Sequence, residues 1–365
     1  MNRTAPGLIF PSGRLVALFL AALCMPVFAA QPQPALIAPL AEQSLLLDVV
    51  AYNGSGFVAV GERGHVLLSA DGRRWRQASS VPARSTLTRT GNFGRRLWAV
   101  GHDAVILSSM DGGENWHVQH FDPEGDDLDP SAQGPLLDIL FVNPNKGFAI
   151  GAYGRYMTTE DGGINWTVER LSDRVTSEAI DWASLASEQG GYDTLPDDYD
   201  TGLEDDPLAE LDRGCYDLDE CHLNAIIDLG DNRLMIAAER GYGFRSRDRG
   251  DSWEAFRFPY TGSMFGLVEQ NGCVLAFGLR GHVQKSCDFG DRWEELAAEG
   301  EQTLLGGDVD QDGRVILVGS GASRVTIKPD GSISRTADRL GSDYAEAVID
   351  GGTLILVGEN GVRHE

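Results

Sequence analysis

Short apolar runs recur along the chain, each ending at or near a glycine and followed by a run that alternates apolar and polar residues. Phe57-Val58-Ala59-Val60-Gly61 leads into Gly64-His65-Val66-Leu67-Leu68-Ser69, then Asp71-Gly72 and Trp75. Leu97-Trp98-Ala99-Val100-Gly101 leads into Val105-Ile106-Leu107-Ser108-Ser109, then Asp111-Gly112-Gly113 and Trp116. The pattern returns at Gly147–Trp166, Leu234–Trp253 and Val274–Trp293. Runs this short, bounded by Gly, Asp and Ser, read as strands rather than helices. From Trp75 to Trp116 and from Trp253 to Trp293 the step is about 40 residues, the size of one four-stranded blade.

Two further units, around Val315–Gly319 and Leu354–Gly358, keep the apolar run but lack the Asp–Gly–Trp element. Seven units predict an all-β, seven-bladed β-propeller with four-stranded blades. In the first unit the expected strands are Leu46–Tyr52, Phe57–Glu62, His65–Ala70 and Trp75–Ser80. The last unit stops at Glu365 after its third strand, so residues Ala35 to Glu42 are expected to complete the last blade as an N-terminal strand and close the ring.

The turn between strands three and four carries Ser/Thr-x-Asp-x-Gly-x-x-Trp in units two to five, with Asp111 and Trp116, Asp161 and Trp166, Asp248 and Trp253, Asp288 and Trp293. The first unit, with Asp71 and Trp75, is one residue shorter. Asp folds its carboxylate onto nearby backbone N–H groups and Gly takes positive φ, so these residues are read as structural, with the Trp packed between blades. The element matches the Asp box of bacterial neuraminidase (BNR) repeats. With the apolar-Gly runs, and above all Gly147-Phe148-Ala149-Ile150-Gly151 and Thr159-Glu160-Asp161-Gly162-Gly163-Ile164-Asn165-Trp166, the chain resembles the photosystem II assembly and stability factor family over about Leu45 to Arg363. That resemblance implies a lumenal or periplasmic seven-bladed propeller that binds membrane-protein partners during assembly. The sequence departs from the family in a long acidic insert, about residues 172–220, between units three and four.

Charge and targeting sharpen this picture. The 365 residues carry a net charge of -25, which argues against nucleic acid as a partner. Arg3 and Arg14 precede the apolar Leu15–Leu23, and Val27-Phe28-Ala29 offers a cleavage site, so residues 1–29 read as a signal peptide and residues 30–365 as the propeller. The apolar run is too short to span a bilayer, and no later segment could cross one. A periplasmic monomer is expected. Cys24 leaves with the signal, and four cysteines remain. Cys273 and Cys287 are equidistant from Arg280 in a hairpin and should face each other as a disulfide. Cys215 and Cys221 could close a small loop at the foot of the insert.

No catalytic residue, cofactor or metal is assigned. A sialidase needs an arginine trio with a Tyr nucleophile, and the Arg-Ile-Pro motif of that family is absent; Pro82-Ala83-Arg84 does not replace it. Asp310-Gln311-Asp312-Gly313 opens like a calcium loop, but the twelfth position is Gly321, not Glu. The candidate binding set is arginine. Arg63, Arg240 and Arg280 share one position in the turn between strands two and three, and Arg155 is placed one position later in its unit. These turns and the blade-to-blade connections should share a face, giving a basic patch beside an acidic flap that could grip partner carboxylates. The expected function is a non-enzymatic scaffold or assembly factor for a membrane-protein complex or transporter subunit. A sialidase-like glycosidase and a calcium-dependent adhesin are the alternatives.

Overall fold

The computed structural model describes residues 32–52, 56–123, 134–176, 221–338 and 340–365. Blade 1 is built from β1 (Leu46–Tyr52), β2 (Gly56–Gly61), β3 (Val66–Ser69) and β4 (Arg76–Gln77). Blade 2 has β5 (Leu87–Phe93), β6 (Arg96–Gly101), β7 (Ile106–Ser109) and β8 (His117–His120). Blade 3 has β9 (Leu136–Phe141), β10 (Gly147–Gly151), β11 (Arg155–Thr159) and β12 (Thr167–Arg170). Blade 4 has β13 (Leu223–Asp228), β14 (Leu234–Ala238), β15 (Tyr242–Ser246) and β16 (Glu254–Arg257). Blade 5 has β17 (Met264–Gln270), β18 (Cys273–Gly278), β19 (Val283–Ser286) and β20 (Glu294–Glu295). Blade 6 has β21 (Leu304–Val309), β22 (Val315–Gly319), β23 (Ser323–Ile327) and β24 (Ile333–Thr336). Blade 7 has three strands, β25 (Tyr344–Asp350), β26 (Thr353–Gly358) and β27 (Gly361–His364).

Every sheet is an antiparallel meander. The first strand of each blade lies against the first strand of the next, and β25 returns to β1. The chain is therefore a closed seven-bladed β-propeller whose first strands line the axis. The second strands are apolar at nearly every position because a neighbouring blade covers each of their faces. Fourth strands face outward and keep polar residues, as in Thr167–Arg170. A separate apolar cluster fills each gap between blades, with Trp116 between blades 1 and 2, Trp166 between 2 and 3, Trp253 between 3 and 4 and Trp293 between 4 and 5.

The Asp turns hold these tryptophans in place. Ser109 Oγ donates to Asp111 Oδ1 at 2.8 Å and accepts the Gly113 N–H at 3.0 Å, while Asp111 Oδ1 also accepts the Asn115 N–H at 3.0 Å. The same set recurs at Thr159 with Asp161, Ser246 with Asp248 and Ser286 with Asp288. In the shortened first unit Asp71 Oδ1 accepts the N–H groups of Arg73 and Arg74. Hydrogen bonds from Asn115 hold the Asp111 carboxyl below the usual carboxylate range.

The N-terminal segment does not form the expected strand. Residues 32–38 have no strand pairing, and a short 3-10 turn at Ala41–Gln43 follows. Ala35 N–H donates to Val81 O at 3.0 Å, and Ala38 N–H donates to Gln77 Oε1 at 2.9 Å, so the segment lies on blade 1. Pro32, Pro34 and Pro39 have no N–H with which to extend a ladder. Ala38 and Ala41 instead pack with Leu46, Ile355 and Val357 in the cluster between blades 7 and 1. The proposed signal peptide lies outside the described residues. Of the acidic insert only Ser172–Thr176 is described, with Val175 bridged to Trp253 on blade 4.

Candidate functional site

The turns between second and third strands share one backbone device. Arg63 and Gly64 have φ of 55° and 70°, Tyr153 and Gly154 55° and 69°, Arg240 and Gly241 55° and 73°, and Arg280 and Gly281 56° and 76°. Two consecutive left-handed residues are what a type I′ hairpin requires. At Gly64 glycine is needed for another reason too, although blade 2 carries Ala104 at the matching place. A Cβ on Gly64 would lie 2.0 Å from Ala83 O, because the connection to blade 2 crosses directly over the turn. Turns and connections therefore occupy one face.

On that face Arg240 and Arg280 belong to neighbouring blades, whereas Arg63 stands three blades away. Arg63 is 74% exposed, 3.8 Å from Glu62. Arg280 is exposed with no ion pair among the described residues, and Arg240 is half-buried. Arg155 corrects the sequence reading. Tyr153 takes the left-handed position in blade 3, and Arg155 falls two residues later, in register with His65 and His282. Its side chain is 1% exposed and reaches inward to Gly134 O at 3.4 Å and Asp122 at 3.6 Å. Arg155 is thus no part of the exposed patch.

Aromatic and imidazole groups surround the Arg240–Arg280 region. Tyr260 stacks on His282 with ring centroids 3.7 Å apart, and His282 Nδ1 lies 2.6 Å from Glu295 Oε1. Exposed Tyr153 meets His222 edge-on at 4.8 Å. The long connection rejoins the described chain here, for Gly154 N–H donates to Cys221 O at 2.8 Å. The stem at residue 221 thus sits on the arginine face.

A second cluster, unforeseen from sequence, lies at the axis. Each first strand has a bulge near its start, which brings Asp48, Arg89, Asp138, Ala225, Gly266, Gly306 and Glu346 to one level. Arg89 Nη1 donates to Glu346 Oε2 and lies 3.3 Å from Asp48, while its Nε lies 3.4 Å from Asp138. The carboxylates also span blades: Asp48 accepts the Thr90 N–H at 2.6 Å, and Asp138 accepts the Ile226 N–H at 2.8 Å. Burial raises all three carboxyls, Asp48 to about 6 and Glu346 to about 8, against the opposing pull of Arg89. The signal was present as acids and an arginine inside apolar first strands, at Leu46-Leu47-Asp48 and Leu87-Thr88-Arg89.

Cys273 and Cys287 form a disulfide with Cα atoms 4.0 Å apart. Cys221 is also disulfide-bonded, and its expected partner Cys215 lies outside the described residues. Among the described residues no group of three or more His, Cys, Asp or Glu is placed to hold a metal ion. Asp310 is engaged in its own hairpin, accepting the N–H groups of Asp312 and Arg314. No helix of the described residues is long and apolar enough to cross a membrane.

Comparison with known proteins follows the fold. No family model matches the chain. The photosystem II assembly lipoprotein Ycf48 of Synechococcus sp. (strain CC9902) is 24% identical over 241 residues, 61% of this chain and 65% of that protein. The chain therefore matches about two thirds of the length of that curated relative. A solved structure of YCF48 bound to a D1 peptide superposes with a TM-score of 0.60 at 15% identity, covering 92% of this chain and 97% of that one. YCF48 from Cyanidioschyzon merolae gives 0.59 at 18% identity, over 92% and 98%. The WD40 propeller domain of Doa1 gives 0.59 at 14%, so the structural likeness shows the fold. The sequence likeness is to the photosystem II assembly factors.

Proposed function

We propose that this propeller is a non-enzymatic assembly factor that binds a subunit of a membrane-protein complex through its arginine face. Arg240 and Arg280 form the centre of the site, with Tyr153, Tyr260 and His282 around them, and Arg63 makes a separate contact across the ring. Sequence likeness to a photosystem II assembly lipoprotein supports the role, and a related propeller solved with a D1 peptide supports peptide binding. The observation that carries the choice of site is the repeated placement of arginine in a left-handed turn. That backbone state disfavours residues other than Gly, Asn and Asp, so arginine three times over points to selection for its side chain. Guanidinium groups there would grip carboxylates of a partner segment. We further infer that the protein acts in the periplasm, as a monomer, after removal of residues 1–29.

The test is affinity capture of integral membrane proteins from detergent-solubilised envelopes. The Arg63→Ala/Arg240→Ala/Arg280→Ala protein should fold with an unchanged circular dichroism spectrum and retain at least about tenfold less of the client that the native protein retains. Equal retention by both proteins refutes the site. Turnover of a fluorogenic sialoside by the native protein would refute the non-enzymatic reading.

A further inference from the structure

The geometry points to a second docking site on the opposite face, shaped for an extended acidic peptide of a partner protein. Turns joining first to second strands, and third to fourth strands, lie at the end of the propeller away from Arg63 and Arg280. Between blades 1 and 2 the turn joining β3 to β4, with the strand ends beside it, lines a groove of about 470 Å³, among whose residues are Tyr52, Phe57, Trp75, Arg74 and Arg76. Arg73 is exposed beside Arg74 on the same turn. Tyr52 OH donates to Arg95 O at 2.9 Å, which brings the blade 2 turn and its exposed Arg95 to the rim.

Charge is concentrated here against the trend of the molecule. Four arginines meet three carboxylates: Asp71, 3.1 Å from Arg74, Glu114, paired with Arg76, and exposed Asp111 on the same turn as Glu114. Arg73 and Arg95 have no ion pair among the described residues, in a chain of net charge -25. The repeat does not impose this. The places of Arg73 and Arg74 are held by Glu114 and Asn115, Ile164 and Asn165, Asp251 and Ser252, and Asp291 and Arg292 in the next four blades. Exposed Phe93 and Met110 on blade 2 belong to the same set of turns.

An aromatic-lined groove rimmed by guanidinium groups matches carboxylates alternating with apolar anchors, and Trp, Tyr and Arg are the residues that most often dominate protein interfaces. This site is independent of the arginine face and of the function assigned to it.

Fluorescence anisotropy with a fluorescein-labelled random copolymer of glutamate and tyrosine tests the proposal. The native protein should bind it, and Arg73→Ala/Arg95→Ala should weaken binding at least about tenfold, since both side chains are exposed and free to pair. Arg73→Glu should weaken it further, whereas the Arg63/Arg240/Arg280 triple variant, which removes only what the arginine face contributes, should keep the Arg73- and Arg95-dependent part of the binding. Equal binding by the native and double-variant proteins overturns the site, as does complete loss of binding in the triple variant. Binding to phosphatidylglycerol vesicles that depends on Arg73 and Arg95, with no binding of the copolymer, would replace the peptide with a membrane. Self-association abolished by the double variant would replace it with a second copy of this chain.

Discussion

At the scale of single residues, two arginines are held for opposite reasons. Arg280 sits at φ 56°, where a residue other than Gly, Asn or Asp costs about 1–2 kcal/mol. Asparagine tolerates that conformation, so Arg280→Asn should leave the urea midpoint unchanged or raise stability by up to about 1 kcal/mol while weakening client capture. A marked loss of stability would show that the guanidinium supports the fold instead. Arg89 is the reverse case. Its removal leaves Asp48, Asp138 and Glu346 facing one another in a buried site, so Arg89→Met should cost about 3–5 kcal/mol in urea unfolding. The same cluster sets a pH dependence. Asp48 and Glu346 titrate near 6 and 8 in the folded chain, above the ordinary carboxylate value. A carboxyl with a raised folded pKa binds its proton more tightly when folded, so its contribution is complete in acid and declines as pH rises through the folded value. The lowered carboxyls of the Asp turns, such as Asp111, act the other way and lose their contribution only in stronger acid. Stability should therefore fall between about pH 6.5 and pH 8, above the range in which His65 and His120, lowered by burial, act the other way, by at most about 1.4 kcal/mol per pH unit for each proton involved. Urea midpoints that rise across that interval would contradict the assignment.

At the scale of strands and turns, the Asp turns and the crossed hairpins make different demands. Asp161→Ala removes the acceptor for Thr159 Oγ1–H and for the Asn165 N–H; exposed Asn165 can turn to water, whereas buried Thr159 loses that partner. The expected loss is about 1–2 kcal/mol by thermal or urea unfolding. Gly64→Ala should cost more, because the new methyl meets the Ala83 carbonyl at 2.0 Å and neither backbone can withdraw without moving the connection between blades. Finding the two variants equally stable would mean that the connection yields easily. These elements also show what sequence can and cannot reveal. The second strands are legible because each is packed on both faces and so reads as an unbroken apolar run. The Cys273–Cys287 pairing is legible because a hairpin with a known centre fixes which residues face each other. Arg155 is misread by counting along the unit rather than aligning on the turn glycine. With Gly154 set against Gly64, Tyr153 falls opposite Arg63 and Arg155 opposite His65. The axial ion cluster escapes sequence reading because its members lie in four different repeats, and only ring closure brings them together.

At the scale of the whole molecule, the question is how a ring with a three-stranded last blade stays shut. The sequence suggests strand exchange, since a propeller whose two termini share one blade ties its ends by a hydrogen-bonded ladder. The structure places packing and charge contacts at the seam instead. Ala38 and Ala41 fill the seam between blades 7 and 1, the Glu42 carbonyl crosses closely over Gly361, and Arg89 on blade 2 holds Glu346 of blade 7 and Asp48 of blade 1. Two truncations measure what the segment before β1 contributes. A chain beginning at Pro34 keeps Ala38, Ala41 and the bonds to Gln77 and Val81, so its melting temperature should stay within about 1 °C of the chain beginning at Ala30. One beginning at Ser44 opens the seam, exposes part of Leu46 and Val357, and should melt at least about 5 °C lower. If residues before Pro34 contributed to closure, the shorter deletion would already bring a loss. If the axial ion cluster and the first strands carried closure alone, the longer deletion would bring almost none. The intermediate pattern, with no loss at Pro34 and a clear loss at Ser44, places the contribution in residues 34–43, where Ala38 and Ala41 pack.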